Sequence, residues 1–121
     1  MSNRRAAEKR GRRSEAVAAL FLRLKGYRIL GRRVKTPAGE IDLIACKQRL
    51  IAFVEVKARA ELITALESVT PRSQQRITRA AELWTARRPD MRDLDWRFDI
   101  IAITPGHWPH HARDAWRPPA T

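Results

Sequence analysis

Asp42 and the run Glu55-Val56-Lys57 are the residues whose types and spacing point to chemistry. They lie on two neighbouring apolar segments, Gly39–Cys46 and Leu50–Lys57, separated by the polar Lys47-Gln48-Arg49. Both segments are short and rich in β-branched and aromatic residues, so both read as strands. A tight hairpin with Gln48-Arg49 as its loop pair sets Asp42 opposite Glu55 and Glu40 opposite Lys57. Side chains two apart in a strand share a face. Glu40, Asp42, Glu55 and Lys57 therefore converge on one patch, together with Ile44, Cys46, Ile51 and Phe53. Like charges opposed across a ladder destabilise it, so a facing aspartate and glutamate make sense when a cation sits between them. A phosphodiester hydrolase needs a positioned divalent ion, an activated water and compensation for charge building on the phosphate. Mg²⁺ takes hard oxygen ligands and keeps several waters. Asp42, Glu55 and the backbone carbonyl of Val56 suffice to hold it, or Mn²⁺. Lys57 would touch either the attacking water or the scissile phosphate. The bland alternative is the wet face of a hairpin whose charges balance one another.

The elements that must position these groups are legible in outline. Ser14 to about Lys25 reads as a helix with Gly26 just past its end. Glu15, Ala18, Ala19 and Leu22 form one stripe, and Val17, Leu20, Phe21 and Leu24 form a second on nearly the opposite side. Such a helix is sandwiched in a core or shared with a partner, which allows a homodimer. Tyr27–Leu30 reads as a first strand, followed by the hairpin. Residues 58–69 show no period and read as a loop with at most a helical turn. Thr70-Pro71 looks like an N-cap with proline at the first helical position. Ile77, Ala80, Ala81 and Trp84 give the following helix its core face. Trp96–Ile103 reads as a further strand. These elements predict an α/β fold, a mixed β-sheet flanked by helices. Residues 1–13 are expected as a basic arm, either mobile or the fraying start of the helix, 14–104 as the α/β domain, and 105–121 as a Pro-, His- and Trp-rich tail lying irregularly over it.

The 121 residues carry 25 Lys plus Arg against 13 Asp plus Glu, a net charge of +12. That surplus points to a polyanion, nucleic acid before an anionic membrane. No stretch approaches a membrane span. Ala16–Leu22 imitates a signal peptide, but Arg23 and Lys25 interrupt it and no small-residue cleavage site follows, so a cytoplasmic location is expected. The lone Cys46 excludes an internal disulfide and a thiolate zinc cluster. His107, His110 and His111 make a weak metal candidate. Trp84 and Trp96 read as core residues, and Trp108 and Trp116 as packing of the tail, with stacking on bases as the alternative. Asp99 reads as the partner of an arginine.

Gly39-Glu40-Ile41-Asp42-Leu43-Ile44, with Phe53-Val54-Glu55-Val56-Lys57-Ala58-Arg59, closely resembles the signature of the bacterial YraN family. These are small proteins of the PD-(D/E)XK nuclease superfamily, similar in fold to archaeal Holliday-junction resolvases. Further likeness lies in Gly11, Glu15, Gly26 and Tyr27, in Ser68–Arg72 with Gln74, in Arg97-Phe98-Asp99 and in Ala115-Trp116-Arg117. The match covers about residues 11 to 118. The resemblance implies a restriction-endonuclease-like fold and a catalytic set of Asp42, Glu55 and Lys57, with Glu15 as an accessory acid. It also implies Mg²⁺- or Mn²⁺-dependent cleavage of DNA, selective for structure rather than sequence. Glu40 is expected to pair with Lys57 or Arg59. Arg4, Arg5, Arg10, Arg12, Arg13, Arg59, Arg72, Gln74 and Arg76 are the candidate nucleic-acid contacts. One departure stands out: relatives usually place a lysine where this chain has Ser73, a loss that Arg72 or Arg76 would offset. A catalytically weak nucleic-acid-binding module and a basic protein-interaction partner are the alternatives.

Overall fold

The computed structural model describes residues 2–119; Met1, Ala120 and Thr121, the outermost residues of the arm and the tail, lie outside them. Helix α1 spans Ser2–Leu24. The basic arm is thus the first half of one helix, because Ala6, Ala7 and the intervening Arg, Lys and Glu are all strong helix formers. Its end is a glycine-capped motif. Tyr27 N–H donates to Leu22 O at 3.0 Å and Gly26 N–H to Arg23 O at 3.0 Å. Gly26 takes the left-handed conformation (φ 92°) that this closure requires.

Strands β1 (Arg28–Thr36), β2 (Gly39–Lys47) and β3 (Leu50–Ala58) form an antiparallel meander. A short helix α2 (Leu62–Glu67) and helix α3 (Pro71–Ala86) then carry the chain to β4 (Asp95–Ile103), which runs parallel to β3. The tail is not irregular. His110–Trp116 forms β5, antiparallel to β4, and completes a five-stranded sheet in the order β1-β2-β3-β4-β5. Its polar composition hid it: an edge strand with one wet face carries only a faint alternation. Two other elements also exceed the sequence reading, β1 running on to Thr36 and α2 standing where a loop is expected. Thr70 caps α3 as expected, its hydroxyl accepting from Ser73 N–H at 3.2 Å, with Pro71 next to it.

The two faces of the sheet are buried separately. Ala18, Ala19 and Leu22 of α1 pack on Leu43, Ala45, Ala52, Val54 and Ile101. Ile77, Ala80, Ala81 and Trp84 of α3 pack on Ile44, Ile51, Phe53 and Phe98. Phe53 sits edge-on to Trp84 and Trp96 at 6.1 and 5.5 Å and stacks on Phe98, which in turn stacks on Trp116 at 5.2 Å. Trp84 and Trp116 are therefore core. Trp96 is half-exposed, and Trp108 lies in solvent rather than packing on the body. The second stripe of α1 is likewise left in water, with Val17, Leu20 and Leu24 exposed.

Candidate active site

The hairpin register is as the two-residue loop dictates, running from Lys47↔Leu50 to Leu43↔Val54. There the ladder stops, one step before Asp42 and Glu55 would pair. The β1–β2 pairing is interrupted at the same level, passing from Arg32↔Leu43 to Val34↔Ile41 and skipping Arg33 and Asp42. Arg33 holds a left-handed backbone, φ 49°. Ile41 and Ile44, three residues apart, both face the α3-side core. Strict alternation from Glu40 to Cys46 is therefore broken once, and Asp42 sits at the break.

The consequence is a gap between β2 and β3 that Asp42 fills itself. Its Oδ2 accepts from the Val56 N–H at 2.8 Å, replacing the lost ladder bond. A residue's N–H and C=O point to the same neighbouring strand, so the Val56 carbonyl shares this opening. Glu55 is buried. Burial, and after it the charge of the adjacent Asp42 and a hydrogen bond shared with it, push its carboxyl up to about 8 against the opposing pull of Lys57 and Arg76. Lys57 Nζ lies 4.0 Å and Arg76 Nη2 3.6 Å from Glu55 Oε2. Glu40 does not pair with Lys57 or Arg59. It sits opposite Lys35 on β1 and has no ion-pair partner among the described residues, because the break in β2 separates it from Lys57.

Glu15 reaches the same centre from α1. It is buried, and Arg33 Nε donates to its Oε1 at 2.6 Å. Burial raises its carboxyl, the Arg33 hydrogen bond opposes this, and the charge of Asp42 adds to the rise. Arg33 escaped the sequence reading, since nothing in a run of basic residues reveals which one will bend back to an acid. Beside these groups opens a cleft of about 690 Å³. One side is the α1 stripe Ala7, Arg10, Gly11 and Ser14; the other includes Lys57, Arg59 and Thr104.

Of the candidate phosphate contacts, Arg10 and Arg59 line this cleft, whereas Arg4, Arg5, Arg12 and Arg13 project from exposed faces of α1. Arg4 lies 3.5 Å from Glu8. Arg76 is at Glu55 and also donates to Glu40 O at 3.3 Å. Arg72 is exposed at the start of α3, and Gln74 is tied to Val69 O at 3.3 Å; neither lines the cleft. The tail histidines do not converge either. His111 is bound to Asp99 at 2.8 Å, and Asp99 accepts two bonds from Arg97 at 2.8 and 2.7 Å.

Asp42, Glu55 and the Val56 carbonyl are the groups that could hold a cation here. Two adjacent carboxylates, one of them retaining its proton through burial and repulsion, are the kind of site in which a divalent ion could replace that proton. Among the described residues no three His, Cys, Asp or Glu side chains close into a cage.

A mixed sheet covered by helices on both faces, with the acids at a splayed strand junction, defines an α/β protein of restriction-endonuclease-like architecture. Comparison with known proteins gives the family. The model of "Uncharacterised protein family UPF0102" matches residues 14–103, and the chain belongs to that family, which is the same as the YraN type. A UPF0102 protein of Parvibaculum lavamentivorans is 54% identical over 113 residues, covering 93% of this chain and 85% of that protein. The UPF0102 protein Mmar10_3014 of Maricaulis maris is 50% identical, covering 95% and 91%. The UPF0102 protein Atu0303 of Agrobacterium fabrum is 54% identical, covering 94% and 93%.

Proposed function

We propose that the protein is a metal-dependent endonuclease acting on DNA by shape rather than sequence. The observation that carries this reading is the juxtaposition of Asp42 with Glu55 at a break in the sheet, with Lys57 beside them and a cleft that Asp42, Lys57, Arg10 and Arg59 line. Asp42, Glu55 and the Val56 carbonyl would hold Mg²⁺ or Mn²⁺, which supplies Lewis-acid polarisation of the phosphate when bound. The chain's own residues do the rest. The Val56 N–H fixes the Asp42 carboxylate, and Arg33 fixes Glu15. Lys57, a compact and adjustable cation, orients water or neutralises the phosphate oxygens. Arg10 and Arg59 hold the flanking backbone. Arg76, one turn beyond Ser73 on α3, brings to Glu55 the positive charge that Ser73 lacks.

A second reading, a binding module without catalysis, is favoured by one observation. The Ser73 hydroxyl is occupied 3.1 Å from Thr70 Oγ1, so α3 offers no lysine to the phosphate. Labelled single strand, duplex, flap and four-way junction, each with Mg²⁺, Mn²⁺ or EDTA, separate the two. Cleavage that needs the ion and disappears in both Asp42→Ala and Lys57→Ala supports the nuclease. Salt-sensitive binding without cleavage in any arm supports the module. Cleavage surviving in both variants sinks this assignment of the site.

A further inference from the structure

The connection between β4 and β5, residues 104–109, begins inside the acid cleft and ends in solvent. Thr104 and Pro105 line the cleft. His107 N–H donates to Thr104 O at 3.3 Å, closing a turn in which Gly106 takes φ 76°. Pro105 and Pro109 restrict the backbone on either side. Between them Trp108 is 85% exposed, whereas Trp84 and Trp116 are buried and Trp96 packs on Phe53. The chain length from Pro105 keeps the Trp108 Cα within about 11 Å of the cleft wall. An indole held in water on a stiffened turn forgoes a large burial gain. Nothing in the fold of this chain requires it there.

Charge narrows the choice of occupant. The same cleft presents Arg10, Lys57 and Arg59, on a chain of net charge +12. A partner that is both polyanionic and rich in flat aromatic faces is a nucleic acid. In a duplex those faces are covered by neighbouring base pairs; in an unpaired stretch they are open to an aromatic side chain. Resting on the reading of the cleft as a DNA site, we propose that Trp108 is a stacking platform for an unpaired base. The preferred substrate is then DNA with single-stranded character beside the cleft. The cleft holds the backbone, and the tryptophan selects strands whose bases are free.

The test is binding in EDTA, where no cutting intervenes, of a fluorescein-labelled forked duplex and a blunt duplex of equal length. Wild type, Trp108→Ala and Trp108→Phe are compared after thermal melts establish equal folding. Trp108→Ala should weaken the fork by about 5- to 100-fold and the blunt duplex by less than about twofold, with Trp108→Phe retaining most of the fork affinity. Equal losses on both probes, or no loss on the fork, overturn the stacking role and assign the indole to another partner, while the cleft reading stands. A wild-type protein that binds neither probe at low salt overturns both readings.

Discussion

Glu55 is held between opposing demands. Burial and Asp42 keep its proton on, while Lys57 and Arg76 draw it off. In the unfolded chain the carboxyl ionises near 4.5, and in the folded protein near 8. Between those values the native state binds more protons than the unfolded one, so stability falls as pH rises across this window. Without divalent ions, Glu55→Gln should flatten that slope and stabilise the protein at pH 8 by on the order of 1–3 kcal/mol, read from denaturant midpoints. An unchanged slope would place the repulsion elsewhere. A cation between the acids acts in the same direction. Mg²⁺ at about ten times its Kd should add about 1.4 kcal/mol to wild type at pH 8 and nothing to Asp42→Ala. Thermal melts with and without EDTA decide this.

At the scale of elements, the site depends on places where regular pairing fails. Gly39 opens β2 with φ 140°, and a Cβ there would come within 2.8 Å of Arg76 Nη1. Gly39→Ala should therefore cost about 1–2 kcal/mol and displace the guanidinium from Glu55. Loss of stability with cleavage intact would show that Arg76 is dispensable. A second interruption, between Phe98 and Ile100, lies opposite β5. There the fully buried Asp99 accepts from Asp114 N–H at 3.0 Å and holds Arg97 and His111, as Asp42 holds Val56. Burial alone would raise the Asp99 carboxyl, but His111, Arg97 and the Asp114 N–H outweigh it and leave it below its usual value. The stability it contributes is present above the unfolded value of about 3.8 and lost as pH falls through the lower folded one. Asp99→Ala takes from Arg97 and His111 their shared carboxylate, leaving Tyr27 and Lys25 as their remaining partners, and should cost about 3–5 kcal/mol at pH 7. Hydrogen exchange should show β5 released first.

At the scale of the molecule, charge and shape divide the work. Arg4, Arg5, Lys9, Arg10, Arg12 and Arg13 extend along α1 from the cleft outward, so the basic charge is carried on a helix. Engagement of all six with duplex phosphates predicts a slope of about −5 for log K against log salt. Reversing Arg5 and Arg12 to glutamate should make that slope shallower by about 2 and weaken all DNA probes alike. A slope that does not move would take the outer half of α1 off the DNA path. Among the described residues no helix is long and apolar enough to cross a membrane.

The sequence by itself determined the hairpin and its register, because a two-residue loop between apolar strands leaves one pairing that buries both faces. It also determined the caps of α1 and α3, where Gly26 and Thr70-Pro71 act locally, and it made Asp42, Glu55 and Lys57 conspicuous as charged residues on apolar strands. Only the tertiary structure decided how these acids are presented. The break at Asp42 lies where both the β1–β2 and the β2–β3 ladders lapse, and no window of neighbouring residues contains both partner strands. Arg33 was invisible for the same reason: its partner Glu15 comes from a helix whose position the sheet fixes. The strand β5 and the exposure of Trp108 belong to this class. Their residues are polar or aromatic without a decisive period, and whether they pair, pack or stay in water depends on the free edge that β4 leaves.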